Sequence, residues 1–272
     1  MILVNGNQTD VISVKDRGLQ YGDGVFETIA VKNGDLLLWN LHWQRLQSGC
    51  ARLNIEAPIE EMLLQEIDQL KTSSEKYVIK IIITRGAGGR GYRYSDMSAN
   101  RVLMRSEWPE YQVDISSGIS LFVCETTIAR QPRLAGIKHL NRLENILARN
   151  EWYSEEYAEG LMLSDEGKVI EGTMSNVFFV KDEQLHTPNL SHCGVDGVVR
   201  KAILQHAGAL GIKVQLGEFT LQDFLSADEI FMSNSLLGIW PVRKLKTHVL
   251  DAPGKLTSVI RQTLLQHEQI AE

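Results

Sequence analysis

The stretch Leu134-Ala135-Gly136-Ile137-Lys138-His139-Leu140-Asn141-Arg142-Leu143-Glu144 sets one lysine behind four small or apolar residues. Further on, Glu171-Gly172-Thr173-Met174-Ser175-Asn176-Val177-Phe178-Phe179 sets one carboxylate at the head of a broken apolar run. A lysine by itself is a solvated charge, and a carboxylate in a strand facing water needs no explanation. These two stand in other settings. Residues 134–137 are apolar enough to desolvate an amine and make it a usable base near neutral pH. Gly172 to Asn176 interrupt an otherwise apolar strand with small and polar residues, as a ligand wall does. Together Lys138 and Glu171 supply an amine able to condense with an aldehyde and a carboxylate able to keep an aromatic ring nitrogen protonated.

Outward from this pair the chain reads as mixed α/β. Residues 160–163 and 168–180 form a hairpin around Asp165-Glu166-Gly167, and residues 119–124 a strand before the irregular approach to Lys138. After Lys138 a helix is predicted, with Asn141 and Glu144 as a capping-box variant and Leu140, Leu143 and Leu147 on one face. Gly197 introduces a helix to Gly211, Glu229 to Met232 a strand, and the C-terminus from Leu256 is helical. Upstream, strands are predicted at Ile2 to Val4, Val25 to Val31, Tyr77 to Ile83 and Arg101 to Met104. Asn33-Gly34 supplies a two-residue hairpin turn into Leu36-Leu37-Leu38. Helices are expected from Asn40, with Leu46, Cys50 and Leu53 on its apolar side, and from Pro58, with Ile59, Met62, Leu63, Ile67 and Leu70. Between Glu107 and Gly118, Pro109, two serines and a glycine break the periodicity. The expected organisation is a smaller N-terminal domain over 1–107, a linker over 108–118 and a larger C-terminal, cofactor-binding domain over 119–272.

Bulk properties narrow the function classes. With 272 residues, 43% of them hydrophobic and 23% charged, the chain has the composition of a globular enzyme with room for a core and a pocket. A net charge of −6 without a basic stripe argues against nucleic acid as a partner. No apolar run approaches a membrane span, and no basic segment leads into an apolar signal core, so a cytoplasmic location is expected. Cys50, Cys124 and Cys193 are odd in number and lack metal-type spacing, and are read as reduced, buried thiols rather than disulfides or metal ligands.

Three further segments suit anions. Gly194-Val195-Asp196-Gly197-Val198-Val199 leads into a helix N-terminus, whose amides and partial positive charge favour phosphate. Ser233-Asn234-Ser235 follows a predicted strand with several donors, and Arg45 offers a fixed charge with bidentate geometry. A helix cap, a turn and a surface ion pair are the plain alternatives. The segment Thr84 to Tyr92 holds four glycines among nine residues, and it is either a flexible hairpin or a loop that aims Arg90 and Tyr92 at a substrate carboxylate. It lacks the Lys-Ser/Thr ending of a P-loop.

In order, Asp16-Arg17-Gly18, Tyr21 to Glu27, His42 to Leu46, Lys138 to Asn141, Glu171 to Asn176, Gly197-Val198-Val199-Arg200 and Pro241-Val242 span nearly the whole chain. They resemble the fold family shared by branched-chain aminotransferases, D-amino acid aminotransferases and 4-amino-4-deoxychorismate lyases. The resemblance implies a two-domain class IV pyridoxal-phosphate enzyme, homodimeric, with pyridoxal 5'-phosphate between the domains. It implies Lys138 as the catalytic lysine that carries the cofactor, and Glu171 as the partner of the pyridine nitrogen. Arg45, the amides of Val198 and Val199, and Asn234 with Ser235 are implied as the phosphate set. Two departures stand out: Val199 replaces a threonine common in the aminotransferases, and Phe26 replaces a tyrosine of the D-amino acid enzymes. Residues 85–92 and 134–144 resemble the lyase branch, which implies cleavage of dianionic 4-amino-4-deoxychorismate to 4-aminobenzoate and pyruvate for folate synthesis. Arg90, Tyr92 and Thr28 are the expected substrate contacts. A branched-chain or D-amino acid aminotransferase is the alternative, and a non-catalytic binder of phosphate ligands a further one.

Overall fold

In the computed structural model, which describes residues 1–94, 97–110 and 117–271, the β-branched run near residue 80 becomes an interior strand of a six-stranded antiparallel sheet. Chain contacts divide the protein into two units, Met1–Pro109 with Ile137–Asn141, and Glu110–Gly136 with Arg142–Glu272. The first contains β1 (Ile2–Val4), β2 (Asn7–Gln8), α1 (Arg17–Tyr21), β3 (Gly24–Lys32), β4 (Asp35–Leu36), α2 (Trp39–Leu53), α3 (Glu60–Asp68), β5 (Lys76–Thr84) and β6 (Asn100–Glu107). Its strand order is β2-β1-β6-β5-β3-β4. Strand alternation sends Val25, Ile29 and Val31 of β3, and Ile79, Ile81 and Ile83 of β5, into a core with Leu46, Cys50, Leu63 and Ile67 of the helices. Each such side chain contributes about 1.5–3 kcal/mol when fully buried. Phe26, Thr28 and Lys80 alternate with these core residues and are only half-buried. Asn33 and Gly34 both adopt positive φ, as the predicted hairpin turn requires.

The second unit contains β7 (Ile119–Val123), α4 (Leu143–Arg149), β8 (Tyr157–Leu163), β9 (Lys168–Gly172), β10 (Asn176–Lys181), β11 (Gln184–Pro188), α5 (Val198–Ala209), β12 (Val214–Gly217), β13 (Phe219–Thr220), α6 (Leu221–Leu225), β14 (Glu229–Asn234), β15 (Gly238–Leu245), β16 (His248–Val249) and α7 (Lys255–Gln266). Its ten-stranded sheet runs β12-β11-β10-β14-β15-β7-β8-β9-β13, with β16 beside β15. The β11/β12, β15/β7 and β7/β8 pairs are parallel and the rest antiparallel, so the sheet is mixed. Val177, Phe179, Phe224, Met232 and Trp240 anchor its core, and α5 packs against α7 and β14.

Several expectations need correction. Residues 137–141, assigned above to the C-terminal domain, belong with the first unit, because they pair with β3. The Phe26 amide donates to the Lys138 carbonyl at 2.9 Å and the Leu140 amide to the Gly24 carbonyl at 3.0 Å, around a Val25–His139 bridge. The predicted linker falls partly on residues 111–116, outside the described residues. The helix expected after Lys138 begins only at Leu143, and Asn141 does not cap it: its amide donates to the Gly22 carbonyl at 3.0 Å. The apolar stripe of that helix points outward, with Leu143 74% and Leu147 62% exposed. In and beside α3, Ile59 and Met62 are likewise exposed, whereas Leu63, Ile67 and Leu70 are buried. The strand expected over 168–180 is two strands, parted at residues 173–175. All three cysteines are free and buried, and burial pushes the thiols of Cys50 and Cys124 up to about 12 and that of Cys193 to about 11. Among the described residues no helix is long and apolar enough to cross a membrane.

Candidate active site

In the first unit, Lys138 is half-buried, and its pairing with β3 sets its ammonium 4.5 Å from the centre of the Phe26 ring. Thr28 lies two residues further along the same face of β3. Lys80, directly across from Thr28, puts a second ammonium 5.3 Å from the same ring. No role for Lys80 follows from the sequence alone, although one charge inside Tyr77 to Ile83 is the signal that marks it.

Arg45 is held by Glu27. Its Nε donates to Glu27 Oε1 at 2.8 Å and its Nη2 to Oε2 at 2.5 Å, and His42 Nδ1 lies 2.6 Å from Oε2. His42 and Arg45 reach one carboxylate because residues three apart share a helix face. Burial would raise the Glu27 carboxyl, but the Arg45 charge and hydrogen bonds, with those of His42, bring it down to about 2. Burial holds the His42 imidazole below its ordinary value, outweighing the pull of Glu27. Neutral His42 therefore donates from Nδ1, and its Nε2 is a buried acceptor with no partner among the described residues. Neither Glu27 nor His42 was assigned a role from the sequence.

Arg90 and Tyr92 are both exposed, Tyr92 at 86%. Buried Arg17 anchors their loop by donating to the carbonyls of Gly91 at 2.8 Å and Tyr92 at 3.2 Å, while its Nε binds Asp23 at 2.9 Å. Arg85 grips the same Asp23 and the carbonyls of Leu53 and Asn54. The loop is thus a tethered turn, from which Arg90 projects into solvent in the free chain.

In the second unit, Glu171 is buried on β9 and accepts the Val195 amide at 2.8 Å. Gly194, at φ +83, makes that approach possible; a Cβ there would meet Glu171 Oε2 at 3.3 Å and two apolar side chains at 2.9 Å. Asn176 lies 3.4 Å from Glu171 and donates to the Val195 carbonyl at 2.8 Å, bracing the same loop. Burial lowers the Arg142 guanidinium from its ordinary value while Glu171 pulls it back up, so these two charges feel each other. The turn after Glu171 is organised by a residue the sequence did not reveal, Glu159 on β8. This carboxylate is fully buried and accepts from the Gly160 amide (2.8 Å), the Thr173 amide (3.1 Å) and hydroxyl (2.5 Å), the Met174 amide (3.3 Å) and the Ser175 hydroxyl (2.7 Å).

Val198 and Val199 open α5 behind Gly197, and no side chain caps this helix. Its first amides are the kind left without intrahelical acceptors. A Cβ on Gly197 would come within 2.0 Å of Asn176 Oδ1. Ser233, across β10/β14 from Asn176, buries a hydroxyl with no partner among the described residues. Asn234 has other work: its Oδ1 accepts the amides of Leu236 and Leu237 at 3.0 and 2.8 Å, and its Nδ2 donates to the Met174 carbonyl at 3.3 Å. Ser235 follows it, half-buried.

Known proteins can be set beside this geometry. Residues 24–245 match the family described as Amino-transferase class IV. Over 269 residues the chain is 40% identical to the aminodeoxychorismate lyase of Vibrio harveyi, spanning 97% of this chain and 99% of the relative. The crystal structure of 4-amino-4-deoxychorismate lyase from Pseudomonas aeruginosa superimposes with a TM-score of 0.93 at 42% identity, covering 99% of this chain and 100% of that one. The branched-chain amino acid aminotransferase of Escherichia coli shares the fold at a TM-score of 0.85 and 24% identity, over 100% and 96% of the two chains. The match over most of its length places this chain in the class IV aminotransferase family.

Proposed function

We propose that this protein is a pyridoxal-phosphate-dependent lyase that converts 4-amino-4-deoxychorismate to 4-aminobenzoate and pyruvate, a step of folate synthesis. The observation that carries this reading is full-length likeness to two lyases at 40% and 42% identity, against 24% to the aminotransferase.

The residues present fit the cofactor. An uncapped helix start at Val198 and Val199, a buried unpartnered Ser233 hydroxyl and the fixed guanidinium of Arg45 suit a phosphate. Ser235 and the backbone at Asn234 complete that set. Glu171, oriented by the Val195 amide, suits a protonated ring nitrogen. When bound, pyridoxal phosphate supplies an aldehyde that takes up the substrate amine and a ring that draws electrons from the carbon bearing it. Lys138 removes the proton from that carbon. Glu171 holds a proton at the pyridine nitrogen, which keeps the ring an electron acceptor. Arg90, Tyr92 and Thr28 orient the substrate so that the electron pair expels the neighbouring enolpyruvyl ether oxygen. One C–H and one C–O bond break, the carbocycle becomes aromatic, and a proton returned to the enol yields pyruvate. Aromatisation makes the step downhill, so orientation and base placement are what the chain must supply, and these are worth several powers of ten.

We further infer a cytoplasmic homodimer acting on a small molecule, with neither nucleic acid nor membrane as partner. The outward apolar face of α4 supports the dimer, and three free thiols suit a reducing compartment. The decisive experiment measures 4-aminobenzoate and pyruvate release from 4-amino-4-deoxychorismate without any added oxo acid. Release of both is expected; amine transfer that runs only with an oxo acid would make the protein an aminotransferase.

A further inference from the structure

We propose that Asn141 is a positioning residue for Lys138: together with Gly22 it locks the register in which residues 137–141 pair with β3. The assignment rests on the role given to Lys138 above. Pairing here advances in steps of two. The Phe26 amide donates to the Lys138 carbonyl at 2.9 Å and the Leu140 amide to the Gly24 carbonyl at 3.0 Å, with Val25 and His139 bridged between them. The next step in the same direction reaches Gly22, just where the chain passes to the second unit at Arg142. There a side chain supplies the third rung, as Asn141 Nδ2 donates to the Gly22 carbonyl at 3.0 Å.

Register decides what Lys138 can do. Its neighbour Ile137 is 3% exposed, so a slip of one position would bring isoleucine to the face that carries the amine and turn the ammonium toward the core. A short segment with two backbone hydrogen bonds specifies register weakly, and Asn141 adds a contact that only one register allows. Both partners are shaped for it. Gly22 ends α1 at φ +65, a conformation that favours glycine, and a Cβ on it would stand 2.6–2.9 Å from the amide group of Asn141. Gly24 is closed in the same way, since a Cβ there would come within 2.8 Å of Leu140 Cδ1. The chemistry of the contact also separates it from a helix cap. A capping side chain accepts hydrogen bonds from backbone amides, whereas Asn141 donates to a carbonyl.

The test compares cofactor-loaded wild type with Asn141→Ala, Asn141→Asp, Gly22→Ala and the double variant Gly22→Ala/Asn141→Ala. Aspartate caps helices as well as asparagine does but, ionised, has no proton to donate. Hydrogen exchange at the Phe26 and Leu140 amides should quicken about tenfold in both Asn141 variants. Turnover should fall roughly ten- to hundredfold with KM nearly unchanged, as expected when a base is displaced from its proton rather than removed. Gly22→Ala crowds the Asn141 amide, and truncating Asn141 relieves that crowding, so the double variant should recover part of the turnover that Gly22→Ala loses. Unchanged exchange and turnover in Asn141→Ala would overturn the proposal. Faster exchange with unchanged turnover would also overturn it, leaving a contact that does not place the lysine. Wild-type behaviour of Asn141→Asp would make the residue a cap, and additive losses in the double variant would part Asn141 from Gly22; either result defeats the lock. Amine transfer in place of pyruvate release would defeat the lyase reading alone, and the same split between turnover and KM is then read in that reaction. A wild-type visible band that borohydride leaves untouched would defeat the reading of Lys138, and the positioning role with it, whatever the exchange rates say of the register.

Discussion

Glu27 in the first unit and Glu159 in the second are 1% and 0% exposed, yet they are satisfied by different chemistry. Glu27 meets a guanidinium and an imidazole, both side chains from one helix. Glu159 meets no cation among the described residues: five amide and hydroxyl donors, four of them from residues 173–175 and the fifth its own strand's next amide, converge on it. Charge pairing fixes the direction of another charge, here Arg45, and makes that arrangement sensitive to pH. Neutral donors fix a backbone shape, here the turn that follows Glu171. The first unit accordingly holds the charged side chains of Lys138, Arg45, Lys80 and Arg90. The second supplies a stiff frame of amides, hydroxyls and one oriented carboxylate.

The largest expected effect tests that division at its centre. Lys138→Ala should lower turnover by roughly 10⁴-fold or more if, as proposed, one side chain holds the cofactor and moves the proton, while absorbance of dialysed protein still shows phosphate-held cofactor. Steady-state activity within tenfold of wild type would remove Lys138 from the chemistry. Next comes the charge pair itself. Glu27→Gln leaves Arg45 buried without its counter-charge and should cost about 3–5 kcal/mol, read from urea denaturation. The pH dependence has a definite sign. Glu27 is held down at about 2 from an ordinary 4.5, so its pairing stabilises the fold fully above about pH 4.5 and is lost as pH falls toward 2. His42, held below 6.5 by burial, adds a loss once the pH drops under that value. Melting curves of wild type should therefore fall steeply below pH 4.5, and those of Glu27→Gln should be flatter there.

Glu159→Gln ranks third. The amide cannot accept all the donors converging on the site, and about 1–3 kcal/mol of stability should go with the unsatisfied ones. If the frame matters to Glu171, the visible cofactor band should also shift in this variant; an unmoved band and unmoved turnover would reduce Glu159 to a purely structural acceptor. The smallest effect belongs to Arg90→Met. Arg90 is exposed on a loop that Arg17 tethers, so if it holds a substrate carboxylate as proposed, KM should rise about tenfold with cofactor retention unchanged. A normal KM would leave the loop a simple hairpin.

Local patterns made much of the fold readable. The run at 77–83, the Asn33-Gly34 turn and the helix after Gly197 all follow from side-chain period and turn chemistry within a few residues. β15 was not readable, because Pro241 and Gly238 argue against a strand unless partners on both sides already supply its pairing. The outward leucines of α4 misled for a similar reason: amphipathic spacing states that a helix has an apolar face, and nothing in it states where that face points.

The amino-acid sequence by itself determined which chemistry the chain can carry: an amine at 138, a carboxylate at 171, a glycine-led helix start at 197 and the glycine-rich loop that bears Arg90. Those are properties of residue type and short spacing, which no packing can alter. Only the tertiary structure decided which charges are spoken for. It clamped Arg45 on Glu27, turned Glu159 into the holder of residues 173–175, occupied the Asn234 side chain with its own turn, and joined residues 137–141 to β3. It also left Lys80 beside Lys138 on one ring. Such pairings depend on strand register and burial between residues far apart in the chain, where hydrogen bonds and counter-charges are gained or lost by a shift of a single position.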